Sequence, residues 1–304
     1  MRISYNGGDI TDSAEVRSAM YTDHAGGAAD RLDMTFNDVQ GDTWQKWPVE
    51  HEDEIAVYHD VMSTGALYVD SIRQTRGAME IGAVTIPPEL RTGKYETWET
   101  IRLRELLRRF ADEYGLKLKL FNIPDVLYER LSQQGEPAME WIARRCRLES
   151  CAVKLMGRSL IAYHEPWAEQ QAPKIVLELA DYPEYAYQSL KYGQCAGVTL
   201  RWGNVAYAFP VPGGAGRVIN EADTAALTIA EAQRYAMGIA RANNKWAETL
   251  TMPMPLEPNC AAGQTVRVES PSARLSGVWY VGQARHDICN ERTTLALRRP
   301  LEGY

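Results

Sequence analysis

Histidines and carboxylates are the residues in this chain best equipped for chemistry. The five histidines, His24, His51, His59, His164 and His286, could ligate a metal or carry protons. His51 runs into Glu52-Asp53-Glu54 and His59 into Asp60, which superficially resembles a ligand set. That acidic run leads into a strand pattern and reads as a solvated loop. His164 sits beside Glu165 at a strand end and His286 within a strand, both structural positions. Adjacent carboxylates such as Asp112-Glu113 recur throughout an acidic chain, whereas glycoside hydrolysis needs two of them in one cleft. HExxH, GxSxG and GxxxxGK[ST] are all missing. Gly213-Gly214-Ala215-Gly216 lacks the strand-then-helix frame of a phosphate cradle, and the loop Pro210 to Gly216 reads as mobile. Tyr185, Tyr187, Trp202 and Tyr207 could make a sugar-binding face, but barrel core or subunit interface fits them better. The basic cluster Arg102, Arg104, Arg108, Arg109, with Arg144, Arg145 and Arg147 later, reads as a solvated or inter-subunit salt-bridging face. These residues predict no catalytic site, no metal and no cofactor.

Composition narrows the class further. A chain of 304 residues with 45% hydrophobic and 24% charged residues can bury a sizeable core in two or three domains. The net charge of -7 argues against a broad basic face for holding nucleic acid. Cys146, Cys151, Cys195, Cys260 and Cys289 form no CxxC pair, so they read as reduced, mostly buried thiols of a protein made in the cytosol. The N-terminal residues carry no secretory h-region, and no apolar run reaches membrane-spanning length. Release by lysis, or within a particle, follows as the expected route out of a cell.

The elements that would position these residues come in three blocks. Arg31–Phe36, Glu54–Tyr58, Gly65–Ile72 and Met79–Ile86 alternate or enrich apolar residues as strands do, and Thr22–Gly27 reads as a hairpin tip. After Pro87-Pro88 the period changes. Ile101, Leu103, Leu106, Leu107 and Phe110 predict a helix over 98–114, capped by Thr97 and stopped at Gly115. A short strand at 116–120, a helix from Pro137 to about Cys146, and strands 152–156 and 160–163 about a Gly157-Arg158 turn complete this block. Residues 166–173 read as a linker. Strand patterns return at 175–179, 198–202 and from Val266 onward, interrupted by a helix that Thr228 caps and whose apolar face is Ala232, Tyr235, Ala236 and Ile239.

The outer blocks repeat one another. Arg31-Leu32-Asp33-Met34-Thr35-Phe36 matches Thr249-Leu250-Thr251-Met252-Pro253-Met254. Asp53 to Val57 matches Gly263 to Val268. Gly65-Ala66-Leu67-Tyr68-Val69 matches Gly277-Val278-Trp279-Tyr280-Val281, and Met79-Glu80-Ile81 matches the final strand at Thr294 to Leu297. The same order of elements implies two copies of one β-barrel-like fold, with Gly65, Tyr68, Val69, Gly277, Tyr280 and Val281 as its signature.

With these motifs in succession the sequence resembles the late control D family of phage tail proteins, the baseplate hubs of contractile tails. The likeness rests on the Gly65 to Ile72 strand before the double proline, on Arg130 to Ala143 with the paired strands after it, and on the succession Ala230 to Arg299. It spans nearly the whole chain, although each motif alone is weak. The resemblance implies an α+β chain: tail-tube-like β-barrel domains at 1–95 and 166–304, flanking a small α/β module at 96–165. It also implies a non-enzymatic homotrimer whose six barrels form a pseudo-hexameric ring between the sixfold tail tube and the threefold spike. Expected partners are further copies of itself, the tail tube protein, the spike protein and other baseplate proteins. DNA would only pass through the lumen, no membrane is involved, and the place is the virion tail baseplate, assembled in the host cytoplasm. Rival readings are a tail-tip cell-wall hydrolase and a carbohydrate- or receptor-binding module.

Overall fold

A computed structural model describes residues 1–39, 41, 47–190 and 193–304. β-Sheet outweighs helix throughout, and one 14-stranded sheet dominates. Ten of its strands matter most: β1 (Val16–His24), β2 (Arg31–Asp38), β3 (Glu54–His59), β4 (Leu67–Thr75), β5 (Gly77–Val84), β6 (Ala186–Ser189), β7 (Glu248–Pro255), β8 (Thr265–Glu269), β9 (Gly277–Asp287) and β10 (Arg292–Arg298).

Period-2 alternation fixes which side of each strand is buried. In β2 the side chains of Leu32, Met34 and Phe36 are buried, and in β7 those of Leu250, Met252 and Met254. Pro253 and Pro255 are tolerated in β7 because β6 pairs only with residues 248–251, so the missing N–H groups fall beyond its reach.

The first five strands run β1-β2-β5-β4-β3 and the second five β6-β7-β10-β9-β8, antiparallel throughout. The register repeats residue by residue. Leu32 lies opposite Ala83 and Met34 opposite Ile81; Leu250 lies opposite Leu297 and Met252 opposite Leu295. Ile55 faces Leu67, and Val266 faces Trp279. One residue bulges out of β4 after Val69 and one out of β9 after Val281. The turns before β3 and β8 match as well. Val69 exchanges backbone hydrogen bonds of 2.8 Å with Glu52 and Asp53, and Val281 does so with Gly263 and Gln264, also at 2.8 Å. Glu52 and Gly263 both take positive φ, 73° and 93°.

Among the described residues neither unit closes into a barrel, which corrects the expectation of two β-barrel domains. Closure would need the outer strands of one unit to meet. In the first unit β3 instead pairs with Arg2–Tyr5, and β1 pairs with β9 of the second unit. In the second unit β8 takes Val176–Glu178 as a parallel neighbour, and β6 ends the sheet. The two units therefore continue one sheet, with the seam at β9–β1.

The middle of the chain makes a separate layer. A three-stranded sheet of Lys117–Phe121, Ser159–His164 and Cys151–Met156 packs with α1 (Leu103–Glu113) and α2 (Ala138–Leu148). Residues 93–102 are a strand, so 98–102 are not the start of the predicted helix, and Arg102 stands at the N-cap position assigned to Thr97. The cause is tertiary: Gly93–Arg102 pairs with Leu127–Pro137, placing Trp98 opposite Leu131 and Ile101 opposite Tyr128. Trp98 then stacks on Trp141 of α2 at 4.8 Å between ring centroids. The expected linker at 166–173 begins instead with a short helix, α3 (Glu165–Glu169), whose two glutamates are buried. The last helix, α4 (Ile229–Asn244), starts where Thr228 accepts a hydrogen bond from the Glu231 amide. It packs on the small sheet of Cys195–Trp202, Val205–Pro210 and Arg217–Glu221.

Candidate assembly surfaces

The six signature residues fall at matched places in the two units but in unlike surroundings. Gly65 and Gly277 both have positive φ, 68° and 117°, a conformation that costs a β-carbon dearly. A Cβ on Gly65 would come within 2.9 Å of the Gly157 amide, so this turn lies directly on the middle layer. Val69 and Val281 are both fully buried. Tyr68 is half-buried, and burial raises its pKa. Tyr280 is buried, and its hydroxyl lies 3.0 Å from that of Tyr163 in the middle layer.

Around Tyr280 the sequence hides a buried ionic cluster. The Arg298 guanidinium stacks 4.2 Å from the Tyr280 ring centroid and pairs with Glu169 at 2.6 Å. Arg241 of α4 also pairs with Glu169 and lies 3.5 Å from Glu165, while Lys245 pairs with Glu165 at 2.8 Å. Burial alone would raise the Glu165 carboxyl, but Lys245, Arg298 and Arg241 outweigh it and hold its pKa below the usual range. The cluster thus ties β10, α3 and α4 together. Arg299, next in sequence, covers the Trp279 ring at 4.0 Å and donates to the Val278 and Ser276 carbonyls.

A second buried cluster lies at the seam. Lys154 of the middle layer pairs with Asp23 of β1 and, at 3.3 Å, with Asp30. Asp23 also accepts from the Ala262 amide at 2.8 Å, and Asp30 from the His24 amide at 2.8 Å. Burial, only partly countered by Lys154, pushes the Asp30 carboxyl up to about 6. For Lys154 burial works to lower the pKa, but Asp23 and Asp30 prevail and raise it. Tyr163 donates to the Ala25 carbonyl, so both units and the middle layer meet here.

Neither cluster was legible as a motif, because its members come from segments far apart in the chain. One local signal exists: Glu165 and Glu169 stand four apart around Pro166, the spacing of a single helical turn begun by proline.

The other residues singled out in the sequence are dispersed. His286 is buried, with Nδ1 2.9 Å from Thr293 Oγ1 and its ring stacked on Tyr21. His59 lies 3.7 Å from Asp60. Among the described residues no three His, Cys, Asp or Glu side chains converge as metal ligands. Arg102 pairs with Asp125, Arg109 with Glu105, and Arg104 donates to the Ile123 carbonyl. Arg145, expected on a solvated face, is instead buried 5.8 Å from the Tyr235 ring centroid. Cys146, Cys151, Cys195 and Cys260 are buried, and Cys289 is exposed. Burial pushes the Cys146 thiol up to about 12, so it is inert. A groove of about 720 Å³ beside the seam is lined by Phe121, Trp167 and Tyr163, and Asp23 in its wall is committed to Lys154.

No family model and no curated protein sequence matches the chain. Solved structures do. The chain superposes on a 43 kDa tail protein of prophage MuSo2 from Shewanella oneidensis with a TM-score of 0.74 at 12% identity, covering 98% of this chain and 97% of that one. The fold is that of phage tail proteins. A tail protein from Neisseria meningitidis MC58 gives a TM-score of 0.77 at 11% identity, over 98% and 95% of the two chains. An Escherichia coli component of the type VI secretion system, described as structurally similar to the T4 bacteriophage tail proteins gp27 and gp5, gives 0.62 at 10% identity, over 100% and 79%. The tail-protein fold therefore extends over the whole described chain, while identities this low carry shared architecture alone.

Proposed function

We propose that this chain is the structural hub of a phage-type baseplate, a homotrimer whose duplicated units form a pseudo-hexameric ring joining a sixfold tail tube to a threefold spike. One observation carries the reading: two five-strand units share one strand order, one register and one bulge position within a single polypeptide. A chain with two copies of a unit presents six of them when three chains assemble, while the rest of each chain keeps threefold symmetry. Residues 1–95 and 166–304 carry the units in this reading, and residues 96–165 form the module between them. The tube, the spike and neighbouring baseplate proteins are the partners, and DNA passes the lumen without being held, in keeping with a net charge of -7. The role is not enzymatic, and the place of action is the tail baseplate of a particle assembled in the bacterial cytoplasm.

Electron microscopy of the purified full chain tests this. Class averages should contain rings of six similar lobes with threefold symmetry. Incubation with peptidoglycan should release nothing, and glycans should not bind. Rings of another symmetry would overturn the hub reading, and cleavage dependent on a defined side chain would favour a hydrolase instead.

A further inference from the structure

The seam inside the chain specifies, by the internal repeat, a seam between chains. β9 has two halves. Before its bulge it pairs with β8 of its own unit; after it, Gln283–Asp287 pair antiparallel with β1 of the other unit. The equivalent strand β4 pairs with β3 only at its start, through Leu67 and Tyr68. Beyond its bulge, Ser71 to Thr75 have no partner on that side among the described residues, and all but Ile72 are exposed. The counterpart of β1 is equally bare. Register against β7 makes Tyr187 the equivalent of Tyr21 and Gln188 that of Thr22. No strand among the described residues lies on the outer side of β6, three of its four residues are exposed, and Tyr185 and Leu190 beside it are exposed too. The two bare edges are thus the equivalents of the two edges that pair within the chain.

We infer that the far half of β4 in one copy pairs antiparallel with β6 of the next copy, in the register of the internal seam. Arg285 faces Thr22 and Asp287 faces Met20 inside the chain; transferred, Arg73 faces Gln188 and Thr75 faces Ala186 of the neighbour. The contact is head-to-tail, so each copy offers one edge of each kind. Every junction, within or between chains, then turns successive units by the same angle, which is what a ring of equivalent units requires. This inference rests on the trimeric ring proposed above and adds the strands and the register that close it.

Cysteine pairs test it in the full chain carrying Cys289→Ser. Directly opposed residues of antiparallel strands come within disulfide reach, whereas diagonal ones, about 7–8 Å apart, do not. Oxidised Arg73→Cys/Gln188→Cys and, independently, Thr75→Cys/Ala186→Cys should each give a reducible ladder ending at three copies. Arg73→Cys/Ala186→Cys should give none. Mixing the single variants Arg73→Cys and Gln188→Cys should give dimers and nothing larger. Cross-linking of the diagonal pair alone overturns the register. A native mass of three copies without cross-linking of either direct pair overturns the edge pairing and leaves the trimer standing. A ladder running past three copies keeps the edge pairing and removes the threefold ring. A monomer that no pair cross-links overturns both.

Discussion

Leu67 and Trp279 occupy one register position in two copies of the same strand, and Val84 and Arg298 occupy another. In the first unit Leu67 is fully buried in one apolar cluster with Ile55, Met79 and Ile81, and Val84 is half-buried opposite Tyr68. In the second unit both positions involve arginine. Trp279 lies under Arg299, and Arg298 reaches Glu169 across to α3. Backbone order therefore survives duplication while the side chains at matched places diverge with what covers them. Each unit keeps one bare strand edge, but in the second buried charge ties β10 to α3 and α4.

The largest effect should come from breaking that charge. Glu169→Ala leaves Arg241 and Arg298 without their shared carboxylate, and breaking a buried ionic cluster in this way costs about 3–5 kcal/mol. Chemical denaturation should show a loss of that order; a near-neutral result would mean that apolar packing, not the charge around Glu169, holds the second unit. In the first unit Leu67→Ala should cost about 2–5 kcal/mol by opening a cavity. The loss should be independent of salt and pH, unlike that of Glu169→Ala, and denaturation at two ionic strengths separates the two cases.

Next comes the seam. Asp30 holds its proton to about pH 6, against 3.8 for an unperturbed carboxyl. The folded chain therefore binds the extra proton between those values, and this contribution is full below about pH 4 and is lost as pH rises through about 6. Stability contributed by Asp30 should fall by on the order of 1–3 kcal/mol over that window. Asp30→Asn should flatten that part of the pH profile, and an unchanged profile would detach Asp30 from it. The smallest effect belongs to the exposed face of β4. Arg73 pairs with Glu80 at 3.4 Å with most of its side chain in water. Arg73→Ala should change the stability of the folded chain by less than about 0.5 kcal/mol, as read from its melting temperature.

Much of this comparison could be read before the fold was known. Leu32 and Met34 against Leu250 and Met252, and Gly65 to Val69 against Gly277 to Val281, are the pairings that the register reproduces. Alternation announces a strand, and order announces a repeat. What alternation cannot announce is the neighbour of an edge strand, so barrel closure was expected where β1 and β9 join instead. Residues 98–102 misled because Ile101 also fits the helical stripe of Leu103, Leu106 and Phe110, and only pairing with Leu127–Pro137 decides for the strand. The charge clusters stayed hidden for a related reason: Lys154 meets Asp23 across 131 positions of sequence, and no local pattern records such a meeting.

Native mass spectrometry of the purified full chain tests most directly the claim that two units per chain exist to build a ring of six. The account predicts a dominant species at three chain masses, stable to dilution through the micromolar range. A dominant monomer, or a closed assembly whose copy number is not three, would contradict it.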